Sequence, residues 1–320
     1  MTTGEKNDRV SIEKKVSKVI LENFNEVLAV AFIQIAVRLA VLFPLKLSED
    51  FGGNMPAAMA WFFVAALYAA AVIPLRFWAK EKMRRLFYTH NQARSSRFLY
   101  TKWLKVGFVR YGRGIVWGLP FLAGVIYFTV FRRILDYKTF EAPIHWLATL
   151  LGGDVSLALG IIFGLMAFFG VIFAYGWGRD LAVEYLPSRS LSTKQVFHWS
   201  RRIREKHGRE YRNNALVNCL LSLPALAGFG AVLGNYLMNK VDFSLSPDMI
   251  FNLLLRALRD PMPKQQWILL AAVFLLLYLP FCILRKTRNA ALIARCMKEH
   301  SHHHHHHSSQ SGSGQESHEA

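Results

Sequence analysis

Six apolar stretches, each close to the ~20 residues that cross a ~30 Å hydrocarbon layer as a helix, constrain this chain more than any other feature. They read as Val27–Leu45, Ala57–Leu75, Gly114–Phe131, Val155–Trp177, Ala215–Met238 and Trp267–Leu284. Core helices of soluble domains seldom stay apolar for so long. A chain that is 53% hydrophobic with a mean hydropathy of +0.21 is also too apolar for an ordinary soluble domain. The expected fold is an all-α polytopic membrane helix bundle of six transmembrane helices.

The charge between the stretches is segregated. Of 39 Lys and Arg, 30 fall in 1–26, 76–113, 178–214 and 285–300. The alternate connectors 46–56, 132–154 and 239–266 hold eight, and Arg38 is the one basic residue inside a stretch. The positive-inside rule then puts both termini and the basic segments in the cytoplasm, an N-in/C-in topology of a bacterial cytoplasmic membrane. The first 26 residues mix basic with acidic residues, have no short apolar core, and are not a cleavable signal. The expected organisation is a cytoplasmic N-terminal segment (1–26), a membrane domain (27–286), a cytoplasmic tail (287–300) and a His-rich low-complexity tail or tag (301–320).

The second half carries a sign of duplication. Gly118-Leu-Pro-Phe-Leu-Ala-Gly124 matches Ser222-Leu-Pro-Ala-Leu-Ala-Gly228 at an offset of 104, and Pro143 matches Pro247 at the same offset. The implied unit, 80–180 against 184–286, is a basic helix, a span, an outer interfacial helix and a returning span. The outer helices are expected over Glu141–Leu151, ended by Gly152-Gly153, and from Pro247 to Asp260-Pro261, with Ser246 as N-cap. Both are too short to span.

The basic segments are expected to be helical as well. No Gly or Pro occurs from Arg76 to Val106, so the second span runs on as a helix through Phe87. A turn over Thr89–Ser96 and a separate helix over Arg97–Val106 follow. Ser192-x-x-Gln195 is a capping box for a helix over Thr193–Lys206. Together these segments form a candidate cytoplasmic surface for lipid or a partner, carried by Arg84, Arg85, Arg97, Lys102, Trp103, Arg201, Arg202 and Arg204. Anionic lipid accounts for this charge, because each basic residue near such a leaflet contributes ~1 kcal/mol. Nucleic acid is not the expected partner. The bilayer and its anionic lipids are, with a membrane protein as a further candidate.

Arg38 is the one deep charge. On insertion scales it costs ~2.5–3.5 kcal/mol, so it needs compensation. Gln34, one turn earlier, and the span residues Asn218 and Asn235 complete a candidate intramembrane anion or polar site. No Asp or Glu lies inside the six stretches, which disfavours proton- or cation-coupled transport. Gly114/Gly118, Gly160/Gly164 and Gly230/Gly234 have the spacing that permits close helix approach. Pro74, Pro120, Pro224 and Pro280 can kink their spans. Cys219, Cys282 and Cys296 have no disulfide or zinc spacing. His90, His198 and His207 are expected at the interface rather than as ligands. No hydrolase elbow, zincin pair, Walker loop or dinucleotide fingerprint occurs, so no cofactor or enzymatic activity is expected. The functional expectation is a membrane component that binds lipid or a partner protein at the cytoplasmic face. The alternative is a transporter or flippase for an anionic or amphipathic substrate, and a headgroup-modifying enzyme comes last.

Overall fold

The computed structural model describes residues 3–87, 100–186 and 191–310. It is 87% helical; among the described residues there is no strand, and six helices are long and apolar enough to span a membrane. The protein is therefore an integral membrane protein built as an all-α helix bundle. A short leading helix α1 (Thr3–Glu22) packs against the C-terminal one.

Span 1 (Phe24–Asp50) consists of α2 (Phe24–Leu39) and α3 (Leu42–Asp50). Span 2 (Met55–Arg85) consists of α4 (Met55–Ala71) and α5 (Ile73–Arg85). Span 3 (Tyr100–Ile134) is α6 (Tyr100–Ile126), a π-helical turn over Tyr127–Phe131 and α7 (Arg132–Ile134). After α8 (Tyr137–Leu150), span 4 is α9 (Val155–Arg179). A 3-10 turn, Leu181–Tyr185, leads to α10 (Thr193–Lys206). Span 5 (Gly208–Met238) joins α11 (Gly208–Leu220) to α12 (Leu223–Met238). After α13 (Pro247–Arg259), span 6 (Lys264–Met297) is α14 (Lys264–Val273), a π-helical turn at Phe274–Tyr278 and the start of α15 (Leu279–Gln310).

Prolines account for four of the five interruptions. Proline lacks an N–H and clashes with the carbonyl four residues back. The break between α2 and α3 at Ala40–Val41 lies ahead of Pro44, that at Val72 ahead of Pro74, and that at Leu221–Ser222 ahead of Pro224. The π turn at Phe274–Tyr278 precedes Pro280. Pro44 carries the same signal as the four prolines singled out from sequence. Pro120 stays inside an unbroken α6.

Several local expectations change. The basic stretch before span 3 is not a separate surface helix, because α6 runs from Tyr100 into the membrane without a break. The expected turn at Thr89–Ser96 and the helix start at Arg97 lie outside the described residues. Helix α8 starts earlier than Glu141, at Tyr137, because Asp136 caps it by accepting from the Thr139 backbone N–H, and Pro143 sits inside it. Only the first of the three glycine pairs makes a close approach. A Cβ on Gly118 would meet Phe173 at 2.5 Å, and one on Gly114 would meet it at 3.1 Å. Nothing lies within 4 Å of such an atom on Gly160, Gly164, Gly230 or Gly234. Helices α6 and α9 therefore pack tightly, with Gly124 against Met166 and Gly170 against Phe121 adding to the seam.

The main core is not in the apolar middle. It lies at the basic end, where Phe77, Met83, Trp103, Val106, Val183, Tyr185, Val196, Ile203, Ile293 and Cys296 are all buried. The apolar spans instead show large side chains outward, among them Phe32, Phe63, Val116, Val171, Leu226 and Leu276, as lipid-facing walls do. Around the basic end the chain thus builds a packed helical layer that positions the candidate site.

Candidate functional site: a basic cleft on an ionic core

Three elements converge at the basic end. Helix α6 contributes Lys105, Arg110, Arg113 and Trp117 from one face, spaced as a helix of 3.6 residues per turn places neighbours. The end of α9 brings Phe173, Trp177, Arg179 and Asp180. Helix α10 presents Lys194, Phe197, His198, Arg201 and Arg204, again one face. They enclose a cleft of about 1260 Å³, larger than the roughly 300–1,000 Å³ of small-molecule pockets. Among the described residues its lining holds seven Lys or Arg and one acid, Asp180.

The N-terminus of α10 opens onto the cleft through Ser192, Thr193 and Lys194. The capping box read from sequence is present: the Gln195 backbone N–H donates to Ser192 Oγ, and the Ser192 N–H donates to Gln195 Oε1 at 2.7 Å. The remaining first-turn amides and the helix dipole favour an anion there.

Arginine–aromatic stacking holds the walls. The Arg113 guanidinium lies 4.4 Å from the Phe197 ring centre and Arg110 lies 4.2 Å from that of Trp177, contacts worth ~0.5–2 kcal/mol each. Arg110 also donates to the Asp180 and Trp177 carbonyls. Two cations are already matched: Arg110 pairs with Glu184 at 2.9 Å and Arg201 with Glu205 at 2.8 Å. The Arg201 hydrogen bond holds the exposed Glu205 carboxyl below its usual range. No acid pairs among the described contacts with Lys105, Arg113, Arg179, Lys194 or Arg204.

Behind the cleft lies an ionic core that the sequence reading did not expect. The 3-10 turn tucks Glu184 to 0% exposure, between Lys80 of α5 and Arg110 of α6. Glu81, 4% exposed, bonds Arg85 at 2.7 Å and lies 3.9 Å from Arg84. The interior is therefore not free of acid: α5 carries Glu81 past the apolar stretch, and Glu184 folds back from beyond span 4. Burial pushes the neighbouring Tyr185 phenol up, so it stays neutral.

The residues singled out from sequence are divided among several places. Arg201 and Arg204 line the cleft, and Arg202 is exposed beside them. Lys102 is half-buried on α6. Arg84, 5% exposed, and Trp103, 2% exposed, are interior rather than surface, because α5 packs against the 3-10 turn and α15, and Trp103 of α6 stacks edge-on against Phe77 of α5. Arg85 is half-buried on Glu81. Arg97 lies outside the described residues. Gln34 is 1% exposed, and its Oε1 accepts from Lys286 Nζ. Half-buried Arg38 lies within electrostatic reach of Arg76, Lys80 and Lys286. Asn218 belongs elsewhere, donating with Asn214 to Asn289 Oδ1 at 2.8 and 2.6 Å. Asn235 is exposed on α12, and no described contact joins it to Arg38.

Sequence reasoning missed Lys105, Arg113, Lys194 and Arg179. The signal was there in the helical spacing of 105, 113 and 117 and of 194, 198 and 201. His207, Glu210 and Cys296 bring possible metal-ligand atoms within 4.8 Å of one another. However, Arg295 lies 3.8 Å from the same Glu210 carboxylate, which reads as an ion-pair network.

Fold and site define a six-helix integral membrane protein with an amphipathic, cation-lined cleft at one end. No protein-family model matches the chain, and no similar curated protein or solved structure is found.

Proposed function

We propose that the protein is a non-enzymatic membrane component that binds an anionic phospholipid in this cleft, at the cytoplasmic face. The observation that carries the reading is the lining: seven basic side chains against one acid, continued along spans 3 and 4 by Trp117, Ile172 and Phe173. A phosphate headgroup matches the guanidinium and ammonium donors, and an acyl chain matches the apolar wall. Trp117 and Tyr175 are 65% and 70% exposed on that wall, and aromatic residues of this kind favour the headgroup region. The positive-inside rule supports assigning this end to the cytoplasm. A partner protein is the less favoured occupant, since the cleft joins a cationic lining to an apolar wall of span residues, the pattern of a lipid.

The test is phospholipid analysis of the purified protein after a delipidating detergent wash. Anionic phospholipid should remain on the wild type and be lost from the triple variant Arg113→Gln, Lys194→Gln, Arg204→Gln. Equal retention by both proteins, or retention of zwitterionic lipid alone, would contradict the reading.

A second reading, movement of such an amphiphile between leaflets, draws on the five interrupted spans, because discontinuous helices build many transport sites. Scrambling of a fluorescent anionic lipid in proteoliposomes would support it. No transfer above protein-free vesicles would remove it.

A further inference from the structure

The ionic core extends beyond the cleft, and its charges do not balance. Arg38 of α2, Arg76 and Lys80 of α5 and Lys286 of α15 lie within electrostatic reach of one another. Lys80 has its counter-charge in Glu184, which Arg110 shares. Glu81 is engaged with Arg85 and Arg84. No described carboxylate pairs with Arg38, Arg76 or Lys286.

The hydrogen bonds that Arg76 and Lys286 make are to neutral groups. Arg76 Nη1 donates to the Tyr111 hydroxyl at 2.6 Å, and Lys286 Nζ donates to Gln34 Oε1. Three buried donors have no partner: Arg38 Nε, Arg76 Nε and Gln34 Nε2. Gln34 is 1% exposed and Lys286 7%. Cations in such surroundings carry a desolvation cost of several kcal/mol per ion unless an opposite charge offsets it.

The geometry points to an anion, and we propose that Gln34, Arg38, Arg76 and Lys286 bind a phosphate-type oxyanion inside the bundle, separately from the cleft. The donor set selects this chemistry. Two guanidinium forks match oxyanion edges, an ammonium adds a point charge, and an amide N–H completes the shell. Helix architecture supports it too. Span 1 breaks at Ala40–Val41, two residues past Arg38, and span 2 breaks at Val72, four residues before Arg76. The π turn of span 6 ends at Tyr278, which also lies within reach of the Arg38 charge. Interrupted helices and π turns recur at functional sites. The oxyanion is either free phosphate or the phosphate of a lipid headgroup.

Thermal unfolding of the full chain in dodecyl maltoside tests this, with potassium phosphate compared with potassium chloride at equal ionic strength. A second arm adds dioctanoyl phosphatidylglycerol. Phosphate is expected to raise the midpoint by ~2–4 °C or more. In the triple cleft variant Arg113→Gln, Lys194→Gln, Arg204→Gln the rise should persist, and adding Arg38→Gln or Lys286→Gln to that variant should abolish it. A rise with the lipid alone in the triple cleft variant, lost when either substitution is added, supports the site and assigns the oxyanion to a headgroup. Equilibrium dialysis of the wild type with radiolabelled phosphate gives a readout that does not depend on the variants folding. The proposal is overturned if the wild type responds to neither probe, or if the cleft variant alone removes the response.

Discussion

Arg110 and Glu184 lie 2.9 Å apart with side chains each 1% exposed, and this pair connects the cleft to the ionic core. Arg110 faces the cleft on one side, while Glu184 receives Lys80 on the other. The Glu184→Gln variant leaves two buried cations without their shared counter-charge. Breaking a buried ion pair from one side costs ~3–5 kcal/mol, so the variant should unfold at a much lower temperature or denaturant concentration in detergent. A loss below ~1 kcal/mol would mean that water or lipid already solvates these cations.

The α6–α9 seam makes a second prediction. Gly118→Ala places a methyl group 2.5 Å from a Phe173 ring carbon and 2.9 Å from its Cβ. Overpacking of this kind costs ~1–3 kcal/mol, and the shift should loosen the cleft wall as well. Gly160→Ala has nothing within 4 Å of the new atom and should leave stability unchanged. Paired unfolding curves of the two variants check this, and equal effects would contradict the seam.

Helix α10 depends on its cap. Ser192→Ala removes the acceptor of the Gln195 N–H, at a cost of ~0.5–2 kcal/mol. Because α10 forms one wall of the cleft, faster amide exchange in its first turn should accompany weaker lipid retention. Unchanged exchange there would show that tertiary packing alone holds the helix.

Orientation can be read from two positions in a background lacking Cys219, Cys282 and Cys296. An impermeant maleimide added to intact cells should label a Phe243→Cys variant and not a Lys15→Cys variant, as the positive-inside rule requires. The reverse pattern would move the basic cleft to the outer face.

The parts legible in the sequence were those set by local rules. The capping box fixed the start of α10 at Thr193, the Ser246-Pro247 pair that of α13, and apolar length the six spans. The ionic core was not legible, because Arg38, Arg76, Glu184 and Lys286 come from four segments distant in sequence and meet only through packing. Glu184 in particular sits beyond the end of an apolar stretch, where its polarity reads as solvent exposure. Arg84 and Trp103 were misplaced on the surface for the same reason: charge and aromatic content near a membrane suggest an interface, but α5, α6 and the 3-10 turn bury them in a core of their own. The cleft lay between these limits, since its helical periodicity was present while its neighbours across space were not.

The most direct measurement of lipid binding is native mass spectrometry of the detergent-solubilised chain titrated with phosphatidylglycerol and with phosphatidylcholine. Preferential phosphatidylglycerol adducts are expected on the wild type. Binding should be at least tenfold weaker, about 1.4 kcal/mol, when Arg113, Lys194 and Arg204 are all changed to glutamine. Equal adducts from the two lipids, or an unaltered phosphatidylglycerol affinity in the triple variant, would contradict this expectation.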